Sequence, residues 1–287
     1  MTIARQTFEG LPVLALRAPD GARAVVALHG GHVLSWRAAG SDQELLYLSP
    51  RSLFADGQPI RGGIPVVFPQ FSERGPLLRH GFVRTRSWQL LGEQGGADGS
   101  QAQLVLGLCD DAGTRALWPH RFALALTVGI GGSALSVALT CTNTGATPWS
   151  FMAALHTYLA VPEVATVRLH GLAGTRFDDM VAGSAGVQDA RPMQIEGEVD
   201  RVHAAVAGPL ELQVPQPSGS RTLTVSQQGF EDVVVWNPAA ARCALLNDMP
   251  ADGYRHMLCI EAARILRPVT LAAAQSWTGQ QRLVASG

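Results

Sequence analysis

Glu261 occupies the least ordinary position in the chain. It lies in His256-Met257-Leu258-Cys259-Ile260-Glu261-Ala262-Ala263, where one carboxylate interrupts an apolar run. Read as a strand, the run puts Glu261 on the same face as Met257 and Cys259. Burying an ionised carboxylate without a partner is costly, so this residue either pairs with an arginine or sits in a cleft. A second position is His156, in Ala154-Leu155-His156-Thr157-Tyr158-Leu159. Taken alone, a histidine on an apolar strand is more often a satisfied core residue than a catalyst. Taken together, the two have a joint chemistry. A carboxylate raised toward neutrality by apolar surroundings is a good base, and a protonated imidazole is a good acid.

A third cluster runs from Ile60-Arg61-Gly62-Gly63-Ile64-Pro65 through Phe68-Pro69-Gln70-Phe71 to Arg79-His80-Gly81-Phe82-Val83-Arg84. Glycines beside charged residues permit close backbone approach, and Pro65, Pro69 and Pro76 stiffen the chain between them. If His80 to Arg84 is extended, the two side chains share a face with Phe82 and lie ~13 Å apart at the backbone. They could then address two ends of one elongated ligand, and a guanidinium fork suits a phosphate. Surface ion pairing plus a structural histidine accounts for this cluster equally well.

The elements that must position these residues are strands. Leu135, Val137, Leu139 and Cys141 alternate with Ser136, Ala138, Thr140 and Thr142, and the same period marks 101–108, 210–214 and 221–226. Val233-Val234-Val235-Trp236, stopped by Asn237-Pro238, reads as a strand covered on both faces. Asp110–Trp118 is the best helix, Gly92–Ser100 a hairpin loop and Ala182–Arg191 a longer surface loop. Many strands at short spacing imply packed antiparallel sheets, and no linker or repeat divides them. The expected fold is all-β, a single domain over 1–287.

Composition narrows the function. Net charge is −1, which argues against nucleic acid or an anionic membrane as partner. All 22 basic residues are arginine, so lysine Schiff-base chemistry is excluded and any grip on an anion must use arginine. Cys109, Cys141, Cys243 and Cys259 are scattered without a Cys-x-x-Cys pair, so neither a disulfide framework nor a zinc knuckle is expected. Cys141 and Cys259 read as small buried hydrophobes. His29-Gly30-Gly31-His32 offers two imidazoles but no third ligand, which makes a zinc enzyme a poor reading. The apolar stretch from Phe122 to Pro162 is broken at 131–133, 143–145 and 147–148 into pieces shorter than the ~20 residues a bilayer needs. With no signal peptide visible, a soluble cytoplasmic protein is expected.

One reaction matches the acid and the base. Opening an aldose ring takes a proton from the anomeric hydroxyl and puts one on the ring oxygen; closing it on the other face gives the opposite anomer, with no metal or redox cofactor. The chain resembles the aldose 1-epimerase superfamily and, within it, the hexose-6-phosphate mutarotases. The resemblance spans nearly the whole chain, anchored on Ile60–Val67, Arg79–Trp88, His156–Leu159, Gly171-Leu172 with Asp178, Glu198–Val202, Val233–Pro238, Cys259–Ala262 and Ser276-Trp277. It implies a galactose-mutarotase-like β-supersandwich with an open sugar cleft on one sheet, no cofactor, a hexose 6-phosphate as small-molecule substrate, and a monomer or weak homo-oligomer. It implies His156 as general acid and Glu261 as general base, Asp200 holding sugar hydroxyls, and His80 as a second site histidine. Arg61 and Arg84 would face the anionic end. Arg79 stands where many relatives carry glutamine; it either adds a phosphate contact or lies outside the pocket. Ala273-Ala274 replaces a common Pro-Gly, and a local loop change is expected there. A mutarotase of neutral aldoses and a non-catalytic sugar-binding protein on the same sandwich are the alternatives.

Overall fold

A computed structural model describes residues 1–95, 101–216 and 219–287. The period of two holds along full strands. Phe122–Gly131 and Ala134–Asn143 alternate buried and part-exposed residues throughout. They pair antiparallel from Phe122↔Asn143 to Gly131↔Ala134, so the apolar stretch around them is a hairpin. Among the described residues no helix is long and apolar enough to cross a membrane.

Among the described residues the strands form three sheets. Thr2–Phe8, Leu11–Arg17, Arg23–Ala27 and His32–Arg37 make a four-stranded sheet in chain order. One eight-stranded sheet runs Arg168–His170, Leu210–Gln216, Gly219–Gln228, Ser276–Ser286, Ala134–Asn143, Phe122–Gly131, Ala102–Cys109, Gln89–Gly95. The other runs Ser184–Val187, Arg176–Asp179, Val199–His203, Asp232–Asn237, Met257–Leu271, Trp149–Leu155, Val66–Val67, with Tyr158–Ala160 also paired to Met257–Leu271. A single large apolar cluster draws on all three sheets, from Leu14 and Trp36 through Leu126 and Val137 to Val235 and Ile260.

The second eight-stranded sheet separates core from cleft by alternation. Leu258, Ile260 and Ala262 enter the main core, and so do Val233 and Val235. Met257, Cys259, Glu261, Val234 and Trp236 point to the opposite face. The Val233–Trp236 run is therefore covered on both sides as expected, except that Trp236 stays partly exposed.

Smaller expectations meet mixed outcomes. The helix Ala112–Leu117 forms inside 110–118, with the Asp111 carboxylate accepting from Thr114 N–H. Of the expected loop at 92–100, residues 92–95 belong to the strand Gln89–Gly95, and 96–100 lie outside the described residues. The surface loop 182–191 contains an edge strand, Ser184–Val187, paired to Arg176–Asp179. Five residues, Ala239–Cys243, form a helix without a sequence signal.

Candidate active site

Cross-strand register builds the floor of one cleft. Asp200 lies opposite Trp236, Trp236 opposite Cys259, and Cys259 opposite Tyr158, so these four form a transverse row on one face. Two residues along, Val234 opposes Glu261. His156 sits between the strands Trp149–Leu155 and Tyr158–Ala160, its N–H on the Pro65 carbonyl at 3.0 Å. Next to it, Thr157 donates to Gln281 on the facing sheet, and Gln281 donates on to the Ile260 carbonyl. The resulting cleft holds about 350 Å³, within the range of small-ligand sites. Arg61, Arg79, His80, Arg84, His156, Asp200 and Glu261 all line it.

His156 and Glu261 meet, Nε2 to Oε1, at 3.4 Å, with the glutamate 1% exposed. His156 Nδ1 and Glu261 Oε2 are buried with no hydrogen-bond partner among the described residues. Burial, with Asp200 nearby, pushes the Glu261 carboxyl well above its usual range. Burial, helped by His80, Arg61 and Arg84, pulls His156 well below the ordinary imidazole range. Both shifts place the pair's proton on the carboxyl. Tyr158 stacks on the imidazole at 4.7 Å and 8°, and Trp236 meets both rings edge-on.

Arg61 is carried on a loop that only glycines could make. Gly62 and Gly63 have φ of 111° and 61°, and a Cβ on Gly63 would stand 2.2 Å from the Val33 carbonyl. His32 Nε2 anchors the loop at the Gly62 carbonyl (2.7 Å), while His29 bonds the Gln58 carbonyl. These two histidines therefore support loops and do not converge as ligands. Arg61 donates from Nε to Asp248 (3.1 Å) and from Nη1 to the Tyr158 hydroxyl (3.1 Å).

The His80–Arg84 segment is not extended. His80 has φ 65° and Gly81 φ 72°, and Val83–Thr85 is a short 3-10 turn. Phe82 consequently turns into the main core, away from His80 and Arg84, which still reach the cleft. His80 Nδ1 accepts from Ser72 N–H at 3.2 Å, leaving Nε2 protonated. Burial, then Arg84, Arg79 and Arg61, push this imidazole down to about 2. Arg84 donates from Nη2 to the Arg79 carbonyl (2.9 Å). Among the described residues neither Arg79 nor Arg84 forms an ion pair. Burial, reinforced by Arg61 and Arg79, pushes Arg84 down to about 10, so this cation is left short of negative charge. Arg79 lies within the pocket lining and bears on Asp200, whose carboxyl burial raises and Arg79 lowers. Asp200 does not pair with its neighbour Arg201, which bonds Asp179.

Tyr158, Trp236, Asp248 and Arg242 also line the cleft and were not foreseen. Tyr158 carried a signal, since it is two residues from His156 on a strand. Asp248 carried none; it reaches Arg61 from a turn 187 residues away.

Comparison with known proteins identifies the family and the fold. The family model described as aldose 1-epimerase matches residues 12–284. A protein of Cenchrus ciliaris named "Putative glucose-6-phosphate 1-epimerase" is 32% identical, over 98% of this chain and 86% of its own. A crystal structure from Salmonella typhimurium, described as a "putative mutarotase", superposes with a TM-score of 0.89 at 28% identity, covering 99% and 93% of the two chains. A galactose mutarotase-like protein of Clostridium acetobutylicum, at 14% identity, shares the fold with a TM-score of 0.76 over 100% and 99%.

Proposed function

The chain belongs to the aldose 1-epimerase family, and from that premise we propose that this carbohydrate mutarotase interconverts the α and β anomers of a hexose 6-phosphate. The observation that carries the reading is the 3.4 Å pair of His156 and Glu261 in a cleft whose wall holds Arg61, Arg79 and Arg84. The anomeric and ring oxygens are attached to the same carbon. The two groups that exchange protons with them must therefore be neighbours themselves.

In this reading Glu261, as carboxylate, takes the proton of the anomeric hydroxyl. The C1–O5 bond breaks as the C1–O1 double bond forms, and protonated His156 supplies the proton to O5. Rotation about C1–C2 and reversal of both transfers give the other anomer. The resting pair holds the proton on Glu261; moving it to His156 produces the reactive form without changing the proton count. Asp200, across the floor, would accept from sugar hydroxyls, a role supported by its place in the cleft lining. Arg84, short of negative charge, is the strongest candidate for the phosphate, with Arg61 and Arg79 beside it. The shared apolar cluster also supports one domain over 1–287.

The test is anomer exchange by NMR saturation transfer on glucose, galactose and the 6-phosphates of glucose, galactose and mannose. We expect exchange of the 6-phosphates, inhibited by inorganic phosphate. Faster exchange of neutral sugars, indifferent to phosphate, would identify a neutral-aldose mutarotase. No exchange of any sugar would leave a binding protein.

A further inference from the structure

We propose that the floor of the cleft is also a binding site for a thiophilic divalent cation such as Zn²⁺, held by His156, Cys259 and Glu261, and that its occupancy blocks anomer exchange. One imidazole nitrogen, the Cys259 sulfur and a Glu261 oxygen lie within 4.8 Å of one another. Three ligands around a tetrahedral zinc stand ~3.5 Å apart; His156 to Glu261 is already at 3.4 Å, and the Cys259 sulfur would close on them by up to about 1.3 Å. The placement follows from the strand: Cys259 and Glu261 are two residues apart on one face, and His156 comes from the adjacent chain segment.

Two observations point to a ligand beyond mere proximity. Glu261 Oε2 is buried and has no hydrogen-bond partner among the described residues, although the glutamate is 1% exposed. Cys259 is 0% exposed, so the sulfur would bind a cation shielded from water. Sulfur, nitrogen and oxygen together select zinc or cadmium over magnesium or calcium, which take oxygen ligands. A thiolate and a carboxylate also neutralise a divalent charge, so the bound ion adds no net charge to a wall already rich in arginine. His156 and Glu261 both line the cleft, so an ion held between them engages the two groups that would exchange protons with the sugar. Binding itself does not depend on the proposed reaction; the block of turnover does rest on that reading.

The experiment uses the full chain carrying Cys109→Ser, which removes the exposed thiol. Titration with CoCl₂ should produce a sulfur-to-cobalt charge-transfer band saturating at one ion per chain, displaced by ZnCl₂. Cys259→Ala and Cys259→Ser should lose the band while keeping the wild-type circular dichroism and melting transition, and their response to zinc is read against each variant's own zinc-free rate. ZnCl₂ should suppress exchange, EDTA should restore it, and the Cys259 variants should need at least about tenfold more zinc. No band in the parent, or an equal band in both Cys259 variants, overturns the site. A band with exchange undiminished by zinc overturns the block. Because the band is read without substrate, it tests the site even if no sugar proves to be exchanged.

Discussion

At the scale of single residues, the His156–Glu261 pair fixes a pH dependence. The glutamate is raised above its ordinary 4.5 and the histidine lowered below its ordinary 6.5. Between those limits the pair carries one proton, the count that the reaction requires. A second proton joins only below pH 6.5, and the last one leaves only well above 4.5. The rate of exchange at saturation should therefore be a bell whose acid limb lies below pH 6.5 and whose alkaline limb lies well above pH 4.5. Glu261→Gln should lower the rate about 10²–10⁴-fold across the plateau. Wild-type exchange in that variant would remove Glu261 from the reaction. The same shift has a consequence for stability. A carboxyl with a raised folded pKa contributes stability that is present below 4.5 and lost as pH rises toward the folded value. Glu261→Gln should accordingly melt above the wild type, by a margin that widens from pH 5 upward in thermal scans. Arg84 supports a separate prediction. Removing a charged hydrogen bond costs about 1.5–3 kcal/mol, so Arg84→Ala should raise the KM for glucose 6-phosphate by roughly 10- to 150-fold. Its effect on glucose should be slight, and equal losses for both sugars would refute the phosphate assignment.

At the scale of elements, the turn between Met257–Leu271 and Ser276–Ser286 shows what replacing Pro-Gly entails. Ala274 takes φ 61°, the left-handed region that glycine enters without strain. Its N–H bonds the Asn143 carbonyl at 2.9 Å, which holds it there. An L-residue in that region costs about 1–2 kcal/mol, partly offset by the greater unfolded freedom of glycine. Ala274→Gly should raise stability to denaturant by about 0.5–1 kcal/mol and leave exchange unchanged, since this turn lies outside the cleft lining. A loss of stability would show that the strain argument is wrong. Much of the fold was legible from local chemistry that can be read residue by residue, whereas this turn drew notice only through the resemblance. Alternation marked the strands because each has one buried face, and Glu261 stood out because an apolar strand rarely tolerates a carboxylate. The path of 79–84 was not legible, because His80 and Gly81 leave the extended region to fit Gly81 against the Phe68 carbonyl. Asp200 entered only through resemblance, because nothing in its own neighbourhood distinguishes it from a surface carboxylate. Asp248 was invisible, because the ion pair that gives it meaning joins distant turns.

At the scale of the whole molecule, net charge and local charge tell different stories. A chain of net charge −1 has little overall pull on an anion. The cleft nevertheless gathers Arg61, Arg79, Arg84 and Arg242 among its lining residues, and among the described residues Asp248 answers only the first of them with an ion pair. A low-dielectric cleft focuses such a field toward its mouth, while salt screens it over a Debye length of about 10 Å at 0.1 M. The attraction should therefore be short-ranged and specific to charged sugars. On raising sodium chloride from about 0.01 to 0.3 M, kcat/KM for glucose 6-phosphate should fall several-fold. Exchange of any neutral hexose the protein accepts should stay level over the same range, because no charge on that substrate responds to the field. The comparison separates local steering from a general salt effect on the fold, which would lower both together. A flat response for the phosphorylated sugar would mean that the arginines serve the architecture of the cleft and not its substrate.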